Sequence, residues 1–166
     1  MKKLLLVFAV VAFTTIGAQA QDAKSTNLSL GVNVGIPTTT GLSIAYGADL
    51  QADFAVAPTT KITGSVGYEA YKIKDVPSGS GIKSTFGIIP ILAGAKFFFG
   101  ETGKMYGHAQ LGYAISTTKG GSGAFAYAPS LGYYVSPNFD IALKYLASSR
   151  NSATTGSLNL RLAYNF

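Results

Sequence analysis

The sequence predicts an all-β protein, a transmembrane up-and-down antiparallel β-barrel of eight strands. Three observations carry this. Apolar and polar residues alternate with period two through eight segments, which sorts them onto the two faces of a strand and cannot be one-sided on a helix. Only 12% of the residues are charged while 48% are hydrophobic, about half the charge of a typical soluble domain. Most segments also exceed the five or six residues usual in soluble sheets and match the roughly 9–11 that a tilted strand needs to cross a bilayer.

Residues 1–20 are expected to be a cleaved signal peptide. Lys2 and Lys3 precede an unbroken apolar run from Leu4 to Phe13, and Ala18-Gln19-Ala20 forms a small-x-small cleavage site. The run is too short to span a bilayer as a helix, and this arrangement directs export through the general secretory pathway. Residues 21–166 then form a single domain with 11 basic and 7 acidic residues. The chain has no cysteine and one histidine. That excludes a disulfide scaffold, a thiolate metal site, a cysteine nucleophile, a lipid-bearing cysteine and any site needing two histidines. No metal and no cofactor is expected.

The segments run over about 26–36, 41–57, 61–74, 84–99, 105–116, 124–135, 139–147 and 156–166. The clearest is the last, where Leu158, Leu160, Leu162, Tyr164 and Phe166 alternate with Ser157, Asn159, Arg161, Ala163 and Asn165. The second repeats the pattern from Ile44 to Val56, with Asp49, Gln51 and Asp53 in the polar phase. Between segments lie Pro-, Gly-, Ser- and Thr-rich breaks such as 36–40, 75–83, 117–123 and 148–155, which carry turn chemistry. A membrane tolerates no open sheet edge, so the strands must close on themselves. A soluble barrel would turn its apolar face inward and cover itself with charge; here charge is too scarce to cover a water-facing surface. Aromatic residues fall in two bands. Phe54, Phe97, Phe99, Tyr133, Phe139, Tyr164 and Phe166 lie near one set of strand ends, and Tyr68, Tyr113, Phe125, Tyr127 and Tyr145 toward the other, as interfacial girdles require.

These residues also resemble a known group. Leu160-Arg161-Leu162-Ala163-Tyr164-Asn165-Phe166 is similar to the closing strand of outer-membrane barrels, whose terminal aromatic is read by the barrel assembly machinery. Tyr164 and Phe166 would be that assembly signal. The run from Ile89-Pro90 to Phe99, Ala128-Pro129-Ser130-Leu131-Gly132-Tyr133 and Asp140 to Tyr145 resemble the small outer-membrane β-barrel proteins of Bacteroidota. The resemblance implies a barrel like outer-membrane protein X or the membrane domain of outer-membrane protein A, without a periplasmic peptidoglycan-binding domain. It implies location in the cell outer membrane, periplasmic chaperones and the assembly machinery as partners during biogenesis, a monomer, and no single activity. Both termini would be periplasmic, with turns at 57–60, 100–104 and 136–138 on that side and the four longer breaks facing outward.

Parity places Asp49, Asp53, Glu69, Lys96, His108, Asp140, Lys144 and Arg161 in the lumen. Pairing across 57–61 would set Asp49 beside Glu69, with Arg161 or Lys144 between the two carboxylates. An eight-stranded barrel is just wide enough for side chains to fill it, so the expectation is a closed, salt-bridged polar lumen rather than a pore. Lys72, Lys74, Lys83, Lys119 and Arg150 lie in or beside the outward loops and could contact the phosphates of outer-membrane lipid and lipopolysaccharide. A narrow porin-like channel for small solutes is the alternative. A lipid-modifying enzyme is remote: the deacylase type would need a Ser where His108-Ala109-Gln110 has Gln, and the palmitoyltransferase type a His near the outer face. The lysines do not cluster with stacking aromatics, so no nucleic-acid partner is expected.

Overall fold

Antiparallel pairing runs round a closed ring and joins the last strand to the first. The computed structural model describes residues 26–74, 84–118, 120–151 and 153–166; the signal-peptide reading of 1–20 lies outside them. The strands are β1 (Thr26–Pro37), β2 (Leu42–Ala57), β3 (Thr60–Ile73), β4 (Thr85–Phe99), β5 (Met105–Ser116), β6 (Ala124–Tyr127), β7 (Ser130–Ser136), β8 (Phe139–Arg150) and β9 (Ala153–Asn165). They form one sheet in which β1 pairs with both β2 and β9, and β5 with β4, β6 and β7. Since β6 and β7 both lie between β5 and β8, they share one position in the ring, which therefore has eight positions.

The expected sixth strand is thus divided, and its sequence explains why. Pro129 has no backbone N–H to give the ladder. The ladder resumes on both sides, with the Ala128 N–H donating to the Gln110 carbonyl at 2.8 Å and Tyr145 N–H to the Pro129 carbonyl at 2.9 Å. Pro90 leaves a similar gap in the β3–β4 register, between Val66↔Ile91 and Glu69↔Ile88. The last hairpin is tighter than the break at 148–155 suggests. Its Ser and Thr residues pair as strand, with Ser148 opposite Thr155, Ser149 opposite Thr154 and Arg150 opposite Ala153. The chain reverses at Asn151, which takes φ 47°, a left-handed conformation that Asn tolerates.

The outward phase is apolar all round. On the closing pair it comprises Leu28, Leu30, Val32 and Val34 of β1 with Leu158, Leu160 and Leu162 of β9, all exposed. An apolar band continuous round a closed sheet is far larger than the isolated patches of water-soluble proteins. Phe97, Phe99, Tyr133, Phe139, Tyr164 and Phe166 border it at the end bearing the three short turns, and Tyr46, Tyr68, Tyr113 and Phe125 border it at the other. The two ends are called here the turn end and the loop end.

Charge on this band should be far worse than charge beyond it. Leu160→Arg, on the outward face of β9, is expected to cost roughly 2–4 kcal/mol if it lies near the bilayer midplane. Thr118→Arg, in the exposed β5–β6 connection, should change stability little. Unfolding in phospholipid vesicles compares the two, and equal tolerance would contradict a lipid-facing band.

Candidate functional site

The inward phase fills the barrel in layers, each fixed by strand register. Toward the turn end lies an aromatic lid. Phe98 of β4, Tyr106 of β5 and Tyr134 of β7 stand within 5.6–5.8 Å of one another, centroid to centroid. Gly132 makes the lid possible, because a Cβ there would lie 2.2 Å from the Tyr106 ring. Lys96 sits against the lid, its ammonium 4.5 Å from the Tyr106 centroid and 5.7 Å from that of Tyr134. That ammonium is 2.7 Å from Oδ2 of Asp53, whose other oxygen accepts from Gln51 Nε2 at 2.7 Å. His108 is close by, its Nε2 2.8 Å from the Thr63 hydroxyl.

Arg161 occupies the next layer. Its Nη2 is 2.7 Å from Asp49 Oδ1, and its Nε is 3.1 Å from both Asp49 oxygens. Nη1 reaches Asp140 at 3.5 Å. The guanidinium lies over Gly31, where a Cβ would be 2.6 Å from Nε. Asp49 also accepts from Asn33 Nδ2 at 2.8 Å and stands 3.6 Å from the Lys144 ammonium. Asp140 accepts from the Tyr106 hydroxyl at 2.6 Å and Asn165 Nδ2 at 3.0 Å. Arg161 thus ties this layer to the lid.

Glu69 stands apart from these ion pairs. Asp49 is opposite Gly67 and Glu69 opposite Gly47, so the two carboxylates are not register partners as pairing across 57–61 would make them. The offset is two residues: the turn pairs Ala57 with Thr60 instead of Lys61, and a register irregularity between Ala55 and Ala57 adds the second. Arg161 joins Asp49 to Asp140 instead. Glu69 accepts from the Ser157 hydroxyl at 3.2 Å, and Ser157 in turn accepts from Asn159 Nδ2 at 2.9 Å. Among the described residues it makes no ion pair within 4.0 Å.

Beyond Glu69, toward the loop end, the interior turns apolar. Ala45, Tyr71, Ile88, Leu92, Ala114, Ala126, Ala128 and Leu146 form a buried cluster, joined by Leu42 and Phe86. Tyr71 and Phe86 stack at 5.3 Å. Reading the inward phase as polar misses both this plug and the lid. The signal was present in the phase itself: Ile88 and Leu92 keep step with Lys96, and Tyr106 with His108.

At the loop end, Lys72, Lys74 and Arg150 are exposed. Lys83 and Lys119 lie outside the described residues. Tyr164 and Phe166 face outward at the turn end, with ring centroids 5.1 Å apart.

No protein-family model matches the chain, and neither does any curated protein. Solved structures do match. The attachment invasion locus protein Ail of Yersinia pestis aligns at TM-score 0.60 and 20% identity over 86% of this chain and 98% of that one. Ail is described as an outer membrane protein, has been solved in a phospholipid bilayer nanodisc, and has been crystallised with the heparin analogue sucrose octasulfate. Neisserial surface protein A aligns at TM-score 0.52 and 16% identity over 85% of this chain and 97% of that one. A de novo designed transmembrane β-barrel aligns at TM-score 0.55 and 17% identity over 84% and 95%. At these identities the likeness is one of fold, the small transmembrane barrel.

The layers predict unequal consequences for two carboxylates. Asp49→Asn leaves Arg161 and Lys144 facing a neutral amide, and breaking a buried pair from one side costs about 3–5 kcal/mol. Glu69→Gln keeps an acceptor for Ser157 and should cost about 1 kcal/mol or less. Denaturant unfolding of the two variants, followed by the gel mobility of unboiled samples, checks the order.

Proposed function

We propose that this chain is an integral outer-membrane barrel with a closed lumen, and that its role is structural or lies in contacts made at its outward surface. The observation that carries this reading is the filling of the interior. An aromatic lid, a layer of ion pairs and an apolar plug succeed one another along the axis, and an apolar layer bars hydrated ions. Export by the signal peptide, periplasmic termini at the turn end and assembly through Tyr164 and Phe166 complete the reading. An eight-stranded barrel of the outer-membrane protein X type has this outline.

The chemistry of the interior supports a role without catalysis. His108 is buried, with its Nε2 on the Thr63 hydroxyl and Lys96 opposite it in register, and no nucleophile motif adjoins it. The outward surface offers a better candidate. Lys72, Lys74, Lys83, Lys119 and Arg150 would form a cationic collar for the phosphates of lipopolysaccharide, through charge-assisted hydrogen bonds. The sucrose octasulfate bound by Ail supports polyanion contact as a property that a barrel of this fold can carry.

Two measurements test the proposal. In planar bilayers the protein should show no conductance comparable to a general porin; sustained openings of that size would favour the narrow-channel alternative. Replacing the five collar cations by Gln should lower thermal stability in lipopolysaccharide-containing bilayers and change little in neutral detergent. The same loss in both media, or none in either, would remove the lipid partner.

A further inference from the structure

The turn end holds a cationic site that neither the lumen nor the collar uses. Pro58 and Thr59, then Gly100, Gly103 and Lys104 of the next turn, and Ser136 with Pro137 surround a cavity of about 640 Å³; Glu101 of that turn does not line it. Phe98 and Tyr134, from the outer side of the aromatic lid, line it together with Lys61 and Lys104, and no acidic side chain among the described residues does. Lys61 belongs to the inward phase of β3, and its ammonium lies 5.3 Å from the Phe98 centroid. Its register partner Lys96 is matched by Asp53. Lys61 itself makes no ion pair within 4.0 Å among the described residues. The Tyr134 ring lines the cavity, while its hydroxyl is buried and is not reached from it.

Two cations that make no ion pair within 4.0 Å among the described residues and an aromatic floor complement an anion carried on an apolar body. Position selects among such anions. Phe99 lines the cavity and is also 44% exposed on the outward face. One wall of the cavity is therefore continuous with the aromatic girdle of Phe97, Phe99 and Phe139, at the level where hydrocarbon gives way to headgroups. A free ion has no use for that wall, and an amphiphile lying in the leaflet does.

We propose that the turn-end cavity binds the phosphodiester headgroup of an anionic phospholipid. Lys61 and Lys104 meet the phosphate oxygens, and the glycerol and first acyl carbons rest on Phe98, Phe99 and the outer side of the Tyr134 ring. The proposal rests on the membrane-spanning reading but not on the lipopolysaccharide collar, which lies at the opposite end.

The test is a titration of the folded protein in neutral detergent with short-chain dihexanoylphosphatidylglycerol, following the Phe98 and Tyr134 resonances by NMR. Saturable shifts are expected. Lys61→Gln with Lys104→Gln should weaken binding at least tenfold, while Lys72→Gln with Lys74→Gln at the loop end should leave it unchanged. The short-chain phosphatidylcholine and inorganic phosphate should each bind at least tenfold more weakly than the phosphatidylglycerol. Equal binding of phosphatidylcholine would reduce the site to an apolar crevice, and equal binding of inorganic phosphate would make it a free-anion site; either overturns the proposal. So does affinity retained by the lysine pair variant. Heat-modifiable mobility on unboiled gels confirms the fold of each variant. Should the double variant not fold, Lys104→Gln alone, at an exposed turn position, carries the comparison. Insertion into vesicles reports separately on the membrane-spanning reading.

Discussion

Arg161 and Asp49 meet inside a barrel whose outer face is hydrocarbon, and the arrangement of the interior depends on that contact. A lipid-facing sheet must turn its polar phase inward, where little water remains to solvate it. The inward phase of this chain includes four carboxylates. Each needs partners within a space one or two side chains wide. Arg161 is suited to the task because its planar fork offers several donors in fixed directions, and it can hold two acids at once where a lysine is a single point of charge. It grips Asp49 along one edge and reaches Asp140 with the remaining nitrogen. Gly31 is the concession made in the backbone for that placement.

From that pair the rest of the interior follows by hydrogen bonding. Asp140 holds the Tyr106 hydroxyl, Tyr106 packs on Phe98 and Tyr134, and Lys96 lies over two of those rings while bound to Asp53. The lid is thus fastened to the ion-pair layer and is not simply stacked above it. At the other end the transition is abrupt. Glu69, Ser157 and Tyr71 make the last polar contacts before the apolar plug, and Tyr71 belongs to both, its hydroxyl 3.2 Å from Ser157 and its ring on Phe86. A barrel built this way resembles a soluble core over part of its length and a polar network over the remainder.

Much of this was legible along the chain. Strict alternation in β9 and β2 identifies those strands and their facing, and parity along the other strands gives the inward position of the remaining ionisable groups. What could not be read is what depends on pairing. The offset between Asp49 and Glu69 arises from the turn pairing Ala57 with Thr60 together with a one-residue irregularity near Ala55, and no local pattern announces either. The division at Pro129 and the tight reversal at Asn151 reflect single residues whose neighbours pair regardless of composition; Ser148 to Thr155 carries turn chemistry yet forms ladder. The plug and the lid were hidden for a different reason. An inward phase that switches from charged to apolar within one strand, as β4 does between Lys96 and Ile88, looks like a weakened alternation until the neighbouring strands are aligned beside it.

The two mouths of the barrel differ in a way that the layers explain. At the loop end the plug is apolar and its cations are exposed beyond it, so they are free to meet partners outside the barrel axis. At the turn end the interior closes with aromatic rings whose polar attachments point inward, toward Asp140 and Asp53. The outer sides of those rings are left facing a cavity with Lys61 and Lys104. Lys96 already takes the nearest carboxylate, Asp53, so Lys61, one strand away in the same register, has no acid left to meet. The surplus cation at this mouth is therefore a consequence of how the interior charges were matched. It places an unpaired positive charge at the level of the aromatic girdle, where the bilayer presents its own phosphates.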